Sequence, residues 1–214
     1  MEDVKIELIR FTPDPDKICM EATAICVDGR PNETALRTAI ESDHGTVMEH
    51  AVFTFRIEGI SRVALAQMTR HRLASFDVQS QRYVDSSEND YIVPGSVFGA
   101  GLDLDFIDAY YECLKCYDKL VEEGVPIEDA RYILPQAVTT DLVVTMNARE
   151  LRHFFALRCC NKAQWELRGI AWKMLGLCKE VAPILFEDAG PGCLRRRCPE
   201  KKPCENPYPR EEKE

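Results

Sequence analysis

The chain has 214 residues, of which 45% are hydrophobic and 29% charged, a composition typical of a soluble globular protein with one substantial core. Its formal net charge of −9 argues against a nonspecific DNA- or RNA-binding protein, because such proteins are normally basic. No apolar stretch reaches the length of a membrane span, and the N-terminal residues lack the pattern of a secretory signal. We therefore expect a cytoplasmic protein.

Helices separate the strands that the apolar pattern predicts. Strands are predicted at residues 4–11, 53–57 and 138–146, and helices at 17–27, 32–42, 61–70, 103–124, 126–134, 147–159 and 164–186. No glycine-rich phosphate-binding turn follows any strand, so no Rossmann motif is expected. We predict an α+β fold with a small, mostly antiparallel sheet flanked by long helices, in a single catalytic domain over residues 1–192. Residues 193–214, rich in cysteine, charge and proline, are predicted to form a flexible tail.

Ten cysteines are many for a reducing compartment, so their positions matter. Most lie in apolar or helical settings that predict small buried side chains; they are Cys19, Cys26, Cys113, Cys116, Cys159, Cys160 and Cys178. The tail adds Cys193, Cys198 and Cys204, whose spacing matches no zinc motif. We therefore expect no metal site.

The most informative stretch runs from Arg70 to Tyr83, with three arginines, one histidine, two serines and two glutamines in fourteen residues. Arginine offers a permanent charge and a planar fork of donors, so such a run is typical of an anion-binding site. The alternative is that the cations complement the dipole at the C-terminal end of a helix. That alternative accounts for two positive groups at most and leaves Ser80, Arg82 and Tyr83 unexplained.

A second basic segment opens the helix predicted at Asn147. Glu150 stands three residues after Asn147, the spacing of a capping box. Arg149 and His153 are four residues apart and therefore lie on one face. Arg158 emerges from an apolar stripe, where a buried guanidinium needs an anionic partner.

These residues resemble the motif of the flavin-dependent thymidylate synthases, in which Arg-His-Arg is followed after seven residues by Ser-x-Arg. Here the motif reads Arg70-His71-Arg72, Ser80 and Arg82. Further segments resemble the family's motifs and occur in the same order along the chain. They are His44-Gly45-Thr46 with Glu49, Gln67, Ala130-Arg131, the segment from Asn147 to Arg158, and Gln164-Trp165-Glu166. We expect Trp165 in the core and Glu166 paired with a cation. Val78 departs from the family, which has Glu or Gln there, and His153 replaces an Asn found in some members.

The resemblance implies reductive methylation of dUMP to dTMP, with methylenetetrahydrofolate as carbon donor, FAD as cofactor and NADPH as reductant. It implies that FAD is held by Thr46, Glu49, Arg70, His71, Arg72, Asn147, Arg149 and His153. It implies that dUMP is held by Gln67, Ser80, Gln81, Arg82, Arg131 and Arg158. Arg158 is the expected catalytic residue, because a guanidinium beside the uracil favours its anionic form. The family also implies a homotetramer whose active sites are shared between subunits.

Two other classes stay open at this point. The arginine run could clamp phosphate in a nucleotide- or RNA-binding protein without enzymatic activity, although the acidic charge counts against it. A flavoenzyme of the same fold could act on another pyrimidine or another acceptor. A cysteine-dependent thymidylate synthase is not expected, because no cysteine here has the setting of that nucleophile.

Overall fold

The structure is a computed structural model that describes residues 4–27, 29–195 and 198–209. Its strands are β1 (Lys5–Phe11), β2 (Val52–Ser61), β3 (Ala74–Val78) and β4 (Thr139–Asn147). They form one antiparallel sheet in the order β1-β2-β4-β3, so β2 and β4 lie at its centre. The predicted small antiparallel sheet is confirmed.

Helices lie between the strands along the chain, which confirms the predicted single-domain α+β fold. They are α1 (Pro15–Cys26), α2 (Glu33–Glu41), α3 (Arg62–Met68), α4 (Gly95–Gly99), α5 (Asp103–Glu122), α6 (Ile127–Ala130), α7 (Ala148–Arg158), α8 (Trp165–Val181), α9 (Pro183–Phe186) and α10 (Gly192–Arg195). Short 3-10 helices span Gly45–His50 and Arg131–Ile133. Among the described residues, no helix combines the length and the hydropathy that a membrane crossing needs.

The core lies on one face of the sheet. Phe53, Phe55 and Ile57 of β2 are fully buried, whereas Arg56 between them is exposed, as the alternation in the sequence predicts. Helices α7 and α8 supply much of the opposing apolar surface, including the fully buried Phe154. This packing fixes α7 against the sheet and so positions the side chains on its outer face.

The structure corrects several predictions of secondary structure. Strand β3 was not predicted, because its alternating residues lie within the polar run from Arg70 to Tyr83. The final helix was predicted to be continuous to Phe186, but it breaks at Ala182, because Pro183 has no N–H to continue the ladder.

Some cysteines predicted to be buried are not. Cys26 and Cys116 are exposed, and Cys113 and Cys160 are half-buried. On α5 the buried residues are Tyr110 and Tyr117, so the apolar stripe that faces the domain is carried by tyrosines and leaves Cys116 in solvent. Cys19, Cys159 and Cys178 are buried as predicted.

The tail contacts the domain where the structure describes it. The Trp172 indole N–H donates to the Tyr208 hydroxyl at 3.2 Å, and the Asn161 amide donates to the carbonyl of Asn206 at 2.5 Å. The domain boundary at residue 192 and the flexibility of residues 193–214 stay predictions, and residues 210–214 lie outside the described part.

Candidate active site

His71 is the centre of a buried polar cluster that joins three segments of the chain. Its Nδ1 lies 2.9 Å from Oε1 of Glu150, and its Nε2 accepts a hydrogen bond from Nε of Arg158 at 3.0 Å. His71 is 5% exposed and Glu150 is 6% exposed. Because Arg158 can only donate, Nε2 is the acceptor and the ring proton lies on Nδ1, facing the carboxylate. The cluster therefore has a defined tautomer.

Helix α7 supplies two of the three members. Asn147 caps it by accepting from the backbone N–H of Glu150 at 2.9 Å, as the sequence predicts. The second half of the predicted capping box does not form, because the Glu150 carboxylate bonds to His71 instead. Glu150, Phe154 and Arg158 follow one another at intervals of four residues, so they share the face of α7 that meets His71.

The electrostatic balance favours a neutral His71. Burial lowers the pKa of His71 below its ordinary value, and the nearby charge of Arg158 lowers it further, against the opposing hydrogen bond to Glu150. Burial and the charge of Arg70 also lower the pKa of Arg158. A neutral His71 keeps its acceptor at Nε2, which the bond to Arg158 requires.

The contacts of Arg158 test one of the two predicted anionic partners. No carboxylate is a direct hydrogen-bond partner of this guanidinium among the described residues, and its partners are Nε2 of His71 and, at 3.2 Å from its Nη2, the backbone carbonyl of Gln67. A bound ligand as the anionic partner stays a prediction. The nearest counter-charge, Glu150, acts through the imidazole ring. Arg158 is thus oriented by neutral acceptors and keeps its positive charge available for a ligand.

A cleft of about 370 Å³ opens beside this cluster. Four of the residues predicted to hold FAD line this cleft: Arg70, His71, Arg72 and His153. Arg158 and Glu150 line it as well. Arg70, Arg72 and His153 are exposed, so their donors are accessible to a ligand. Because the lining is strongly basic, the cleft suits an anionic group such as a pyrophosphate.

The remaining residues predicted to hold FAD lie around the N-terminal end of α7. Arg149 donates to Oε1 of Glu49 at 2.6 Å, and Thr46 is exposed on the 3-10 helix Gly45–His50. Gly45 leaves room for this side chain, because a Cβ at that position would lie 2.5 Å from Nε of Arg149 and would force the guanidinium to move. The glycine lets the Arg149 side chain cross this 3-10 helix and reach Glu49.

The residues predicted to bind dUMP do not share one cavity, and Ser80 and Arg82 line neither of the two clefts. Arg158 lines the first cleft, and Gln67 contacts it through its carbonyl. Gln81 and Arg131 line a second cleft of about 490 Å³ that shares no lining residue with the first. In one chain, the structure therefore does not bring Arg158 and Arg131 into a common cavity.

Glu128 contacts both Arg131, which lines the second cleft, and Arg82, which does not. Nε of Arg82 lies 2.7 Å from Oε2 of Glu128, and Nε of Arg131 donates to the backbone carbonyl of the same glutamate at 2.9 Å. The backbone N–H of Arg82 donates to the Ser80 hydroxyl at 3.2 Å. The side-chain nitrogen of Gln81 is buried without a hydrogen-bond partner. An unsatisfied buried donor beside guanidinium groups favours an anionic ligand in this cleft.

Sequence reasoning missed some residues that the structure places in the two clefts. Glu150 was considered only as part of a helix cap, although it is the buried counter-charge of His71. Arg62 lines the second cleft and donates to the backbone carbonyl of Gln79 at 3.1 Å. Arg62 directly follows the cap residue of α3 and belongs to none of the sequence motifs. Glu128, which lines neither cleft but pairs with Arg82, belongs to none of them either.

Comparison with known proteins identifies the family of the chain. The model of the family described as "Thymidylate synthase complementing protein" matches residues 7–184. A protein of Geobacter sulfurreducens named flavin-dependent thymidylate synthase is 48% identical over 212 residues, which covers 92% of this chain and 91% of the relative. A protein of the same name from Sulfolobus acidocaldarius is 50% identical over 206 residues, covering 89% and 78%. A third, from Pyrococcus horikoshii, is 42% identical over 221 residues, covering 93% and 91%. On the strength of this match over most of its length, the chain belongs to the flavin-dependent thymidylate synthase family.

Proposed function

We propose that this enzyme methylates dUMP reductively to dTMP, with methylenetetrahydrofolate as carbon donor and NADPH as reductant. The observation that carries the proposal is the buried His71–Glu150–Arg158 cluster, which presents an oriented guanidinium to a basic cleft. Family membership supports a flavin-dependent enzyme that makes thymidylate. The choice of dUMP, of the folate donor and of NADPH goes beyond these comparisons.

The residues around the first cleft fit FAD. Arg70 and Arg72 offer exposed guanidinium groups, and the N-terminal end of α7 lies beside Arg149. Guanidinium groups and a helix N-terminus are the donors that a pyrophosphate requires. We infer that these residues, with Thr46 and His153, hold the cofactor. When bound, FAD supplies the redox chemistry of the reaction, and the protein supplies binding and orientation.

Arg158 is the proposed catalytic residue. Its guanidinium would lie against the uracil ring of dUMP and favour the form ionised at N3, because an opposite charge stabilises the anion. The ionised ring has more electron density at C5, the carbon that receives the one-carbon unit. His71 is a positioning residue, because it fixes Arg158 through Nε2 and does not itself need to reach the substrate.

The second cleft is the proposed site of the dUMP phosphate. Arg131 in the cleft lining supplies positive charge, and the unpartnered amide of Gln81 supplies a neutral donor. Arg82 does not line the cleft but follows Gln81 directly in the chain, and we infer that it adds a second positive charge. Ser80 is assigned to binding, since its hydroxyl already accepts from the backbone N–H of Arg82 and it has no neighbouring base among its described contacts.

We infer that a complete active site needs more than one subunit, in a homotetramer. The first cleft, at about 370 Å³, is too small to enclose FAD, dUMP and folate together. The second cleft is separate from it, so the phosphate site of one subunit would meet Arg158 of another. Exposed apolar side chains on and beside α4 and α5 support an interface, and they are Phe98, Leu102, Leu104 and Tyr111.

An anaerobic visible spectrum tests the proposed cofactor and substrate together. The purified protein should show flavin absorbance, and NADPH should bleach it faster when dUMP is present than when it is absent. Deoxycytidine monophosphate is the matched control for the alternative that another pyrimidine is the substrate. A bleaching rate that does not respond to dUMP, or that responds equally to the cytidine nucleotide, would contradict the assignment of dUMP.

A further inference from the structure

Four cysteines from separate parts of the sequence line one small cavity. The cavity, of about 210 Å³, lies between the C-terminal end of α7 and the tail. Its thiols belong to Cys160, just after α7, and to Cys193, Cys198 and Cys204 of the tail. We call this the thiol cavity. Neither the active-site chemistry nor the packing of the core uses these four residues.

The tail is held at the thiol cavity by contacts other than cysteine. The amide of Asn161 donates to the carbonyl of Asn206, and the ammonium of Lys162 donates to the carbonyl of Lys202. Tyr208 packs edge-on against Trp172 with 5.2 Å between ring centroids. These contacts bring the tail to the residues that follow α7, so the four thiols are gathered by the fold and not only by sequence spacing.

The sequence of the tail is basic around its cysteines. Between Cys193 and Cys204 it contains a single acidic residue, Glu200, and five basic residues, Arg195, Arg196, Arg197, Lys201 and Lys202. This excess of positive charge complements the net charge of −2 that four thiolates and a divalent cation carry together.

We propose that Cys160, Cys193, Cys198 and Cys204 form a structural zinc site that fastens the tail to the end of α7. Four cysteine thiolates in a tetrahedral arrangement are a common structural zinc site, closed to substrate. Binding exchanges four S–H bonds for four S–Zn bonds and releases four protons to solvent. Leu157 and Arg158 also line the thiol cavity, so the metal would anchor the end of the helix that carries the catalytic arginine.

Closing the site requires local movement. All ten cysteines lie in the described part of the chain, and none forms a disulfide bond. No three potential ligands among the described residues already converge tightly enough to hold a metal ion. Rotating a cysteine between staggered χ1 positions moves its sulfur by about 3 Å. The proposal therefore requires such rotations together with a shift of the tail toward Cys160.

Metal analysis of the full-length enzyme, purified under reducing conditions, tests the proposal. We expect about one Zn²⁺ per chain and, after exchange with Co²⁺, the intense absorption of tetrahedral cobalt bound by thiolates. The variants Cys160→Ser and Cys204→Ser should each lower the zinc content about tenfold or more. Cys116→Ser, which changes an exposed thiol on α5, should leave it unchanged.

Two results would overturn the proposal. One is wild-type protein that carries no zinc and, on titration against a chromophoric chelator, binds Zn²⁺ no more tightly than a Kd of about 1 µM. The other is intact mass spectrometry that shows these cysteines paired in disulfides, about 2 Da lighter per bond. Because the titration uses wild-type protein, the test does not depend on whether the variants fold.

Discussion

His71 holds two charged neighbours through opposite edges of one ring, and its protonation state decides whether it can do so. As a neutral ring it donates from Nδ1 to Glu150 and accepts at Nε2 from Arg158. A second proton would occupy Nε2 and turn an attraction to Arg158 into a repulsion. The orientation of Arg158 therefore depends on pH.

Acidification should weaken both the fold and the activity through His71. Because burial lowers its pKa in the folded protein, the unfolded chain binds the proton first, and the stabilisation is lost as the pH falls below about 6.5 toward the folded-state pKa. We expect the free energy of unfolding to fall across that window, and kcat/KM to fall at its lower end, where His71 of the folded protein takes up a proton. The variant His71→Gln, which keeps an acceptor for Arg158 but cannot titrate, should flatten the kcat/KM profile. His50→Gln, an exposed histidine, is the control, and an unchanged profile in His71→Gln would contradict the role of His71.

Removing the guanidinium of Arg158 should separate cofactor binding from turnover. Arg158→Ala is expected to keep bound FAD, since the other basic residues of the cleft remain. It should lose about 2–5 kcal/mol of transition-state stabilisation, the cost of truncating one member of a hydrogen-bonded charged group that contacts the substrate. That loss is a roughly 30- to 5,000-fold fall in kcat/KM. Flavin absorbance and initial rates measure the two properties, and Arg10→Ala on β1 is the matched control. Near-normal formation of dTMP by Arg158→Ala would refute its catalytic role.

At the scale of elements, Glu166 ties α8 to the junction between β2 and α3. Its carboxylate accepts from the backbone N–H of Ser61 at 2.7 Å and from the Ser61 hydroxyl at 2.5 Å. That hydroxyl in turn accepts from the N–H of Ala64 and so caps α3. The sequence had predicted a cation as the partner of Glu166, and this was wrong: two local donors satisfy the carboxylate, which is 1% exposed.

Glu166→Ala should therefore destabilise the fold as a whole. The change leaves the buried donors of Ser61 without an acceptor, and hydrogen bonds to a charged group contribute about 1.5–3 kcal/mol each. We expect a loss of about 2–5 kcal/mol in the free energy of unfolding, measured by urea denaturation. Glu180→Ala, on the exposed face of the same helix, should change stability by less than about 0.5 kcal/mol. Equal effects of the two changes would show that Glu166 has no anchoring role.

The elements that the sequence predicted well are those whose pattern is local. The alternation in β2, the cap at Asn147 and the length of α5 follow from residues close together in the chain. Strand β3 was missed because its role depends on pairing with β4, seventy residues away. Trp165, predicted to lie in the core, is 36% exposed, because its position at the start of α8 turns it toward a surface cavity.

The same limit applied to the active site. The motif named Arg158, His71 and the arginines, but not their partners. Glu150 contacts His71, and the carbonyl of Gln67 contacts Arg158, because α7 packs near α3 and the segment that follows it. These partners are about 80 to 90 residues apart in the chain, so no local sequence pattern could predict the contacts. The prediction also could not say that Arg158 and Arg131 line separate clefts.

At the scale of the whole molecule, the separation of the two clefts bears on how a complete active site is assembled from subunits. If the phosphate cleft of one subunit completes the flavin cleft of another, Arg158 and Arg131 of one chain serve different active sites. A mixture of Arg158→Ala and Arg131→Ala subunits then contains some sites with both arginines intact.

Subunit mixing tests this arrangement. Each variant alone should be nearly inactive, whereas subunits co-expressed in equal amounts should recover about a quarter of wild-type activity, the fraction expected from random assembly. As a calibration, each variant is also co-expressed with wild-type subunits, and the activity of these mixtures shows how completely the subunits mix. Failure of the two variants to restore activity, despite proven mixed oligomers, would mean that each chain builds its own site.

The most direct test of the central claim is the analysis of nucleotide products after turnover of the purified enzyme with dUMP, methylenetetrahydrofolate, FAD and NADPH. We predict dTMP in the complete reaction, none when dUMP, the folate or NADPH is left out, and much slower formation when Arg158 is replaced by Ala. Oxidation of NADPH that leaves dUMP unmethylated in the complete reaction would contradict the account.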